Sequence, residues 1–192
     1  MSRRAGRRPG PPTLDRLFAI PDAGPPLEAA TGFTPTGVGA VGHRIVEGGP
    51  FGAFDRARRD MLKLLTSGNA PGVAVSDDPH GWAWLRVTRA PGSLGELPGD
   101  LHLVNAVMQE AGFGPFLFCT VVWFGRRGRR LALVHARRRG TFYLFAPLDG
   151  RRRDAGLEAL AAGALGEGPG GVLPLEPDPG RRFPLWDAPG LS

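Results

Sequence analysis

The stretch Phe116–Phe124, FLFCTVVWF, constrains the fold more than any other part of the chain. Side chains of a strand point alternately to its two faces, and here both sets are apolar. A strand of that kind sits inside a sheet with material packed on both sides. The uncharged run around it, 111–125, is too short to cross a bilayer and contains Pro115, so it reads as the middle of a sheet. Two further strands follow through basic turns. Arg126-Arg127-Gly128-Arg129 leads into Leu131–Arg137, and Arg138-Arg139-Gly140 leads into Thr141–Ala146, which Pro147 ends. Short turns between successive strands imply antiparallel pairing.

The flanking segments supply helices. Asp100 is placed to cap a helix through Ala111 whose apolar face is Leu101, Val104, Val107, Met108 and Ala111. Gly112 suits the left-handed turn after it, with Phe113 folding back on the last turn. A helix over 51–65 carries Phe54, Met61 and Leu65 as its stripe, widened by Leu62 and Leu64. A final helix near Arg153–Leu165 is weakened by Gly156 and Gly163. Two short helices are predicted before these. One runs over Thr13–Ile20, capped by Thr13 and stopped by Pro21, and one covers about Pro26–Thr31 and ends at Gly32. Strands are predicted at Val38–Val46, with Val41, His43 and Ile45 on one face, at Val73–Val75 and at Trp82–Arg89. The sum is an α+β domain over 13–191, mainly an antiparallel sheet with helices packed against it. It is preceded by a flexible basic arm, 1–12, and closed by a Pro/Gly-rich tail anchored by Phe183, Leu185 and Trp186. Gly32-Phe33-Thr34-Pro35 and Gly112-Phe113-Gly114-Pro115 each close a helix and open a strand. That echo fits two related halves, about 13–90 and 97–165, and equally fits a shared capping requirement.

The formal net charge of +6 invites a polyanionic partner, yet of 24 basic residues only Lys63 is a lysine. With Gly 30 and Pro 20, this profile matches GC-rich coding as well as it matches selection for nucleic acid, so specific nucleic-acid binding is disfavoured. The single cysteine, Cys119, excludes an intramolecular disulfide. The arm leads into no apolar segment of signal-peptide type, so the expected location is cytosolic, at most peripheral to the inner face of a membrane.

No motif assembles a reaction centre. Gly37-Val38-Gly39-Ala40-Val41-Gly42 matches G-x-G-x-x-G in letters only. A dinucleotide site needs a strand before it and a helix N-terminus after it, and here a strand pattern follows. Those glycines read instead as close packing over a strand. His43, His80, His102 and His135 show no metal-ligand spacing, and Cys119 lies mid-strand as a buried thiol. Ser76-Asp77-Asp78-Pro79-His80 is too tight for a catalytic relay and reads as a turn. No catalytic, cofactor or metal residue is assigned. The candidate interaction surface is Arg126, Arg127, Arg129, Arg130, Arg151 and Arg152 with Phe113, Leu185 and Trp186. In a meander the turns at 126–130 and 151–153 share one end of the sheet and 137–139 lies opposite, which divides the charge.

Several spaced segments together resemble one family. They are Leu14-Asp15-Arg16-Leu17-Phe18-Ala19-Ile20-Pro21, Gly32-Phe33-Thr34-Pro35-Thr36-Gly37-Val38-Gly39, Asp100-Leu101-His102-Leu103-Val104-Asn105, Glu110-Ala111-Gly112-Phe113-Gly114-Pro115, Arg139-Gly140-Thr141-Phe142-Tyr143 with Phe145-Ala146-Pro147-Leu148, and Ala188-Pro189-Gly190-Leu191. From Leu14 to Leu191 the chain is similar to the actinobacterial PspA-associated proteins, PspAB. The resemblance implies an accessory partner of PspA, a helical peripheral membrane protein of the phage-shock response, and brings no catalytic residues. The chain departs from the family pattern in its basic, Pro-rich arm, where relatives begin with a short apolar segment. It also departs at Leu144 and Arg182, which stand for Pro and an aromatic. The first departure weakens any inference of membrane contact through the N-terminus.

Three functions are therefore carried forward. The first is a non-enzymatic adaptor of PspA without cofactors. The second is a peripheral binder of anionic lipid or nucleic acid through the arginine-rich turns. The third is an enzyme whose residues come from distant segments.

Overall fold

The central strand expected from the sequence is β4 (Leu117–Arg126), buried along nearly its whole length. In the computed structural model, residues 13–45, 52–65, 71–78, 81–92, 94–166 and 171–191 are described. The arm 1–12, Val46 with Gly48-Gly49-Pro50, the helix start at Phe51, the Pro79–His80 turn and the side chain of Phe54 lie outside the described residues.

β4 pairs antiparallel with β1 (Thr34–Arg44) on one side and β5 (Arg129–Ala136) on the other. Adding β2 (Gly72–Asp77), β3 (Trp82–Thr88) and β6 (Thr141–Phe145) gives six antiparallel strands in the order β2-β3-β1-β4-β5-β6. A two-stranded ribbon of β7 (Pro147–Leu148) and β8 (Arg152–Arg153) follows. The four helices are α1 (Ile20–Thr31), α2 (Ala53–Leu65), α3 (Leu97–Met108) and α4 (Ala155–Leu165), so the chain is α+β as its pattern implies.

The sheet separates two apolar cores. On one face the helices bury Ile20, Leu27, Met61, Leu101, Val104, Met108 and Leu165 against Val41, Leu85, Val122, Phe124 and Leu133. On the other face none of the described helices α1–α4 packs, and Leu185 and Ala188 of the tail cover Ala40, Val121, Trp123, Val134 and Phe145. The double burial of β4 thus has two different causes, helices above and an irregular strap below.

Several boundaries differ from expectation for identifiable reasons. Pro21 does not stop a helix. It occupies the first turn of α1, where a missing N–H costs nothing, so the first expected helix runs on into a second one that starts at Ile20 rather than near Pro26. A 3-10 turn, Thr13–Ala19, leads into it, and Pro25 and Pro26 lie inside it. Gly32 ends it with φ 70°, its N–H on the Glu28 carbonyl at 2.7 Å, as expected. Asp100 is not a cap, because α3 begins at Leu97 with Pro98 in its first turn. Asp100 instead accepts from Arg89 Nε at 2.7 Å and Nη2 at 2.9 Å. After Met108 the helix widens into a π turn through Phe113, where Gly112 at φ 88° reverses the chain and leaves Ala111 exposed. Leu64 and Ile45, expected on apolar faces, are exposed.

The two Gly-Phe corners feed β1 and β4, which lie side by side with Phe33 and Phe113 both buried. The threading beyond them differs. After β4 the chain moves outward one neighbour at a time, whereas after β1 it takes the outer position first and returns through β3.

Candidate functional site

At one end of the sheet the strap leaves part of the helix-free face open as a cleft of about 820 Å³. Local chain geometry builds its floor. The register between β1 and β4 slips between Gly42, opposite Cys119, and His43, opposite Leu117, so Phe118 is an extra residue in β4. Such a bulge re-aims a side chain. Phe118 turns to the same face as Cys119, and its ring stands 4.3 Å from Trp82 and 5.4 Å from Trp84, centre to centre. Gly42 makes the room. A Cβ there would fall 2.4 Å from Phe118 Cε1 and 2.9 Å from the Trp84 ring. Asp78 fixes the tryptophans by accepting from the Trp82 backbone N–H at 3.1 Å and from Trp84 Nε1 at 3.3 Å.

Deep in the cleft lie Cys119 and Tyr143, both buried. Burial pushes the Cys119 thiol well above its ordinary range, so it stays protonated and unreactive. Tyr143 donates to the Phe183 carbonyl at 3.0 Å, and its phenol is likewise pushed up by burial. The far wall is the strap. Trp123 Nε1 donates to the Pro189 carbonyl at 2.8 Å, and Arg130 Nε donates to Gly190 at 3.2 Å. Arg153 Nη1 donates to Arg182 at 2.8 Å. Trp186 meets Phe145 edge-on at 4.9 Å. The anchor at Phe183 is its carbonyl, since the side chain is 64% exposed on the rim.

The rim is basic. Arg44, Arg138, Arg139, Arg151 and Arg181 line the cleft against two carboxylates, Asp78 and Asp187. Arg151 reaches Asp187 at 3.5 Å, Arg181 pairs with Asp178 at 2.9 Å, and Arg139 approaches buried Glu176 at 3.8 Å. No described residue bonds or pairs with the guanidinium of Arg44 or Arg138.

The arginines singled out from the sequence have other duties. Arg126 donates to the Thr31 carbonyl at 2.9 Å and closes the C-terminus of α1. Arg129 pairs with Asp154 at the start of α4, and Arg130 holds the strap. Arg152 Nε donates to the Asp149 backbone carbonyl at 3.2 Å. Arg127 is exposed in the β4–β5 turn at φ 48°. Phe113 is buried in the helix-side core and offers no exposed docking surface, while Leu185, largely buried against the sheet, and Trp186 both line the cleft. The expected separation of basic turns is also incomplete. Arg151 joins Arg138 and Arg139 at the cleft, while Arg129 stays at the other end of β4 and β5. Arg44 and Arg181 carry no such signal in the sequence, because Arg44 is a lone arginine in a strand and Arg181, beside Arg182, lies in the irregular tail, so only the fold brings them to the rim.

The glycine-rich run Gly37–Gly42 lies within β1, where a Cβ on Gly39 would fall 2.7 Å from Leu101 of α3. It therefore serves close packing. His43 and His135 are buried in strands, and His102 lies on α3 3.2 Å from Asp15. Among the described residues no three His, Cys, Asp or Glu side chains are grouped to hold a metal ion.

Residues 4–190 match the family described as PspA associated protein B, PspAB. No curated protein and no solved structure matches the chain.

Proposed function

This chain belongs to the PspAB family, and from that premise we propose that it is a non-enzymatic adaptor that associates with PspA in the envelope-stress response. The family match over 4–190 carries this reading. The arginine-rimmed aromatic cleft supports it, because a recessed apolar floor with a charged rim is the form of a surface that receives side chains from another molecule. No helix among the described residues is long and apolar enough to cross a membrane. The adaptor works in this reading from the cytoplasm, reaching the inner face of the membrane through PspA. The test is co-purification of PspA with the chain at native expression levels, with and without crosslinking. Recovery supports the reading, and repeated absence in both conditions refutes it.

A second reading, peripheral binding of anionic lipid, draws on the same five arginines of the rim. It requires binding to anionic vesicles that weakens steeply with salt.

A further inference from the structure

We propose that the cleft on the helix-free face is the docking site for a segment of PspA that carries carboxylates around apolar anchor side chains. The proposal rests on the adaptor reading and adds where contact is made and by what chemistry.

Three observations select this occupant. The floor, made by Trp82, Trp84 and Phe118, is apolar and recessed behind the strap, so it is filled by side chains inserted into it; a flat bilayer surface meets the rim and leaves the floor empty. Charge then sets the sign. Five arginines face two aspartates, and the aspartates are engaged, Asp78 by the tryptophans and Asp187 by Arg151. Arg44 at the end of β1 and Arg138 in the turn after β5 remain to receive carboxylates, and guanidinium–carboxylate pairs at a rim fix register and speed encounter. Occupants from this chain itself have the wrong sign. Residues 1–12 carry four arginines and no acid, and a second copy brings a net charge of +6.

The bulge at Phe118 shows that the floor is built for its position. A regular β4 would turn that ring to the helix side, and only a glycine at position 42 leaves space for it.

The test uses the full chain and purified PspA. Binding is measured by calorimetry for the natural protein, for the double variant R44E/R138E, for R44K/R138K, and for R127E in the exposed turn at the other end of β4. The charge reversal is expected to weaken binding roughly tenfold or more, with the lysine pair and R127E within about threefold of the natural protein. Thermal melts confirm that each variant is folded. If R44E/R138E does not fold, a benzophenone amino acid in place of exposed Phe183 decides the matter. Crosslinking to a PspA peptide with more acidic than basic residues supports the proposal, while a basic peptide or no crosslink overturns it. Undiminished binding by folded R44E/R138E, or equal weakening by R127E, overturns the cleft and leaves the adaptor reading standing. Binding of the natural protein to phosphatidylglycerol vesicles but not to PspA refutes both.

Discussion

Gly42 shows how much of this molecule turns on one missing methyl group. With Phe118 Cε1 2.4 Å from where a Cβ would sit, Gly42→Ala forces the ring away or the strands apart. The expected cost is about 1–3 kcal/mol, read as a lower urea midpoint at unchanged m-value, together with a change in tryptophan fluorescence as Trp82 and Trp84 lose their neighbour. Asp154 carries a second residue-level expectation. Its carboxylate accepts from the Leu157 N–H at 2.9 Å and pairs with Arg129, and these contacts, the backbone bond first, hold its pKa below 3.8. A lowered folded pKa means stability that is present above the unfolded value and lost as the pH falls through the folded one. Asp154→Asn keeps an acceptor for the cap and is expected to flatten the stability curve below about pH 4, whereas Asp154→Ala costs about 1 kcal/mol at neutral pH. Comparing urea midpoints at pH 7 and pH 3 checks both. At Cys119, burial predicts that a thiol reagent such as DTNB labels the protein only as fast as it opens, so labelling in native buffer is expected to be slow and to become immediate in denaturant.

At the scale of elements, the strap is the part least like its neighbours. It is held by side-chain donors of β4, β5 and β6 on backbone carbonyls, where the other strands are joined by ladders. Trp123→Phe removes the bond to Pro189 and leaves that carbonyl without its partner, at an expected cost of roughly 1–3 kcal/mol. Hydrogen exchange can locate the loss, which is expected at 183–191 before it reaches β4. The sequence showed the centre of the sheet because Phe116–Phe124 has no charged position and a single hydroxyl, Thr120, among its apolar side chains. It also showed the capping glycines, because Gly32 and Gly112 adopt backbone angles that favour glycine. It misplaced the start of α1, since a proline in a first turn and a proline after a last turn look alike without the tertiary contacts that choose between them. Asp100 was misread for a similar reason. A local cap and a bond to Arg89, eleven residues back, call for the same side chain.

For the whole molecule, the question is how charge that looks scattered along the chain becomes a site. Arg44, Arg138 and Arg181 come from the end of β1, the turn after β5 and the tail. No spacing rule links them, so the cleft was not legible, although each basic turn was. The same distribution gives a test at this scale. If the rim contributes through charge, association with PspA is expected to weaken as ionic strength rises, without a matching change in the melting temperature of the chain alone. Surface plasmon resonance across a salt series, set beside melts in the same buffers, separates that effect from a change in stability.

The placement of the strap also imposes an order in time. Its residues, 183–191, follow every strand of the sheet in the chain, so they leave the ribosome after the surface they cover. Until then Trp123, Val134 and Phe145 face water on a sheet whose opposite side already has its helices. A message broken or a reading frame lost just before the codon for Phe183 therefore yields a product with its sheet and helices but one bare aromatic wall, the kind of surface that chaperones and proteases recognise.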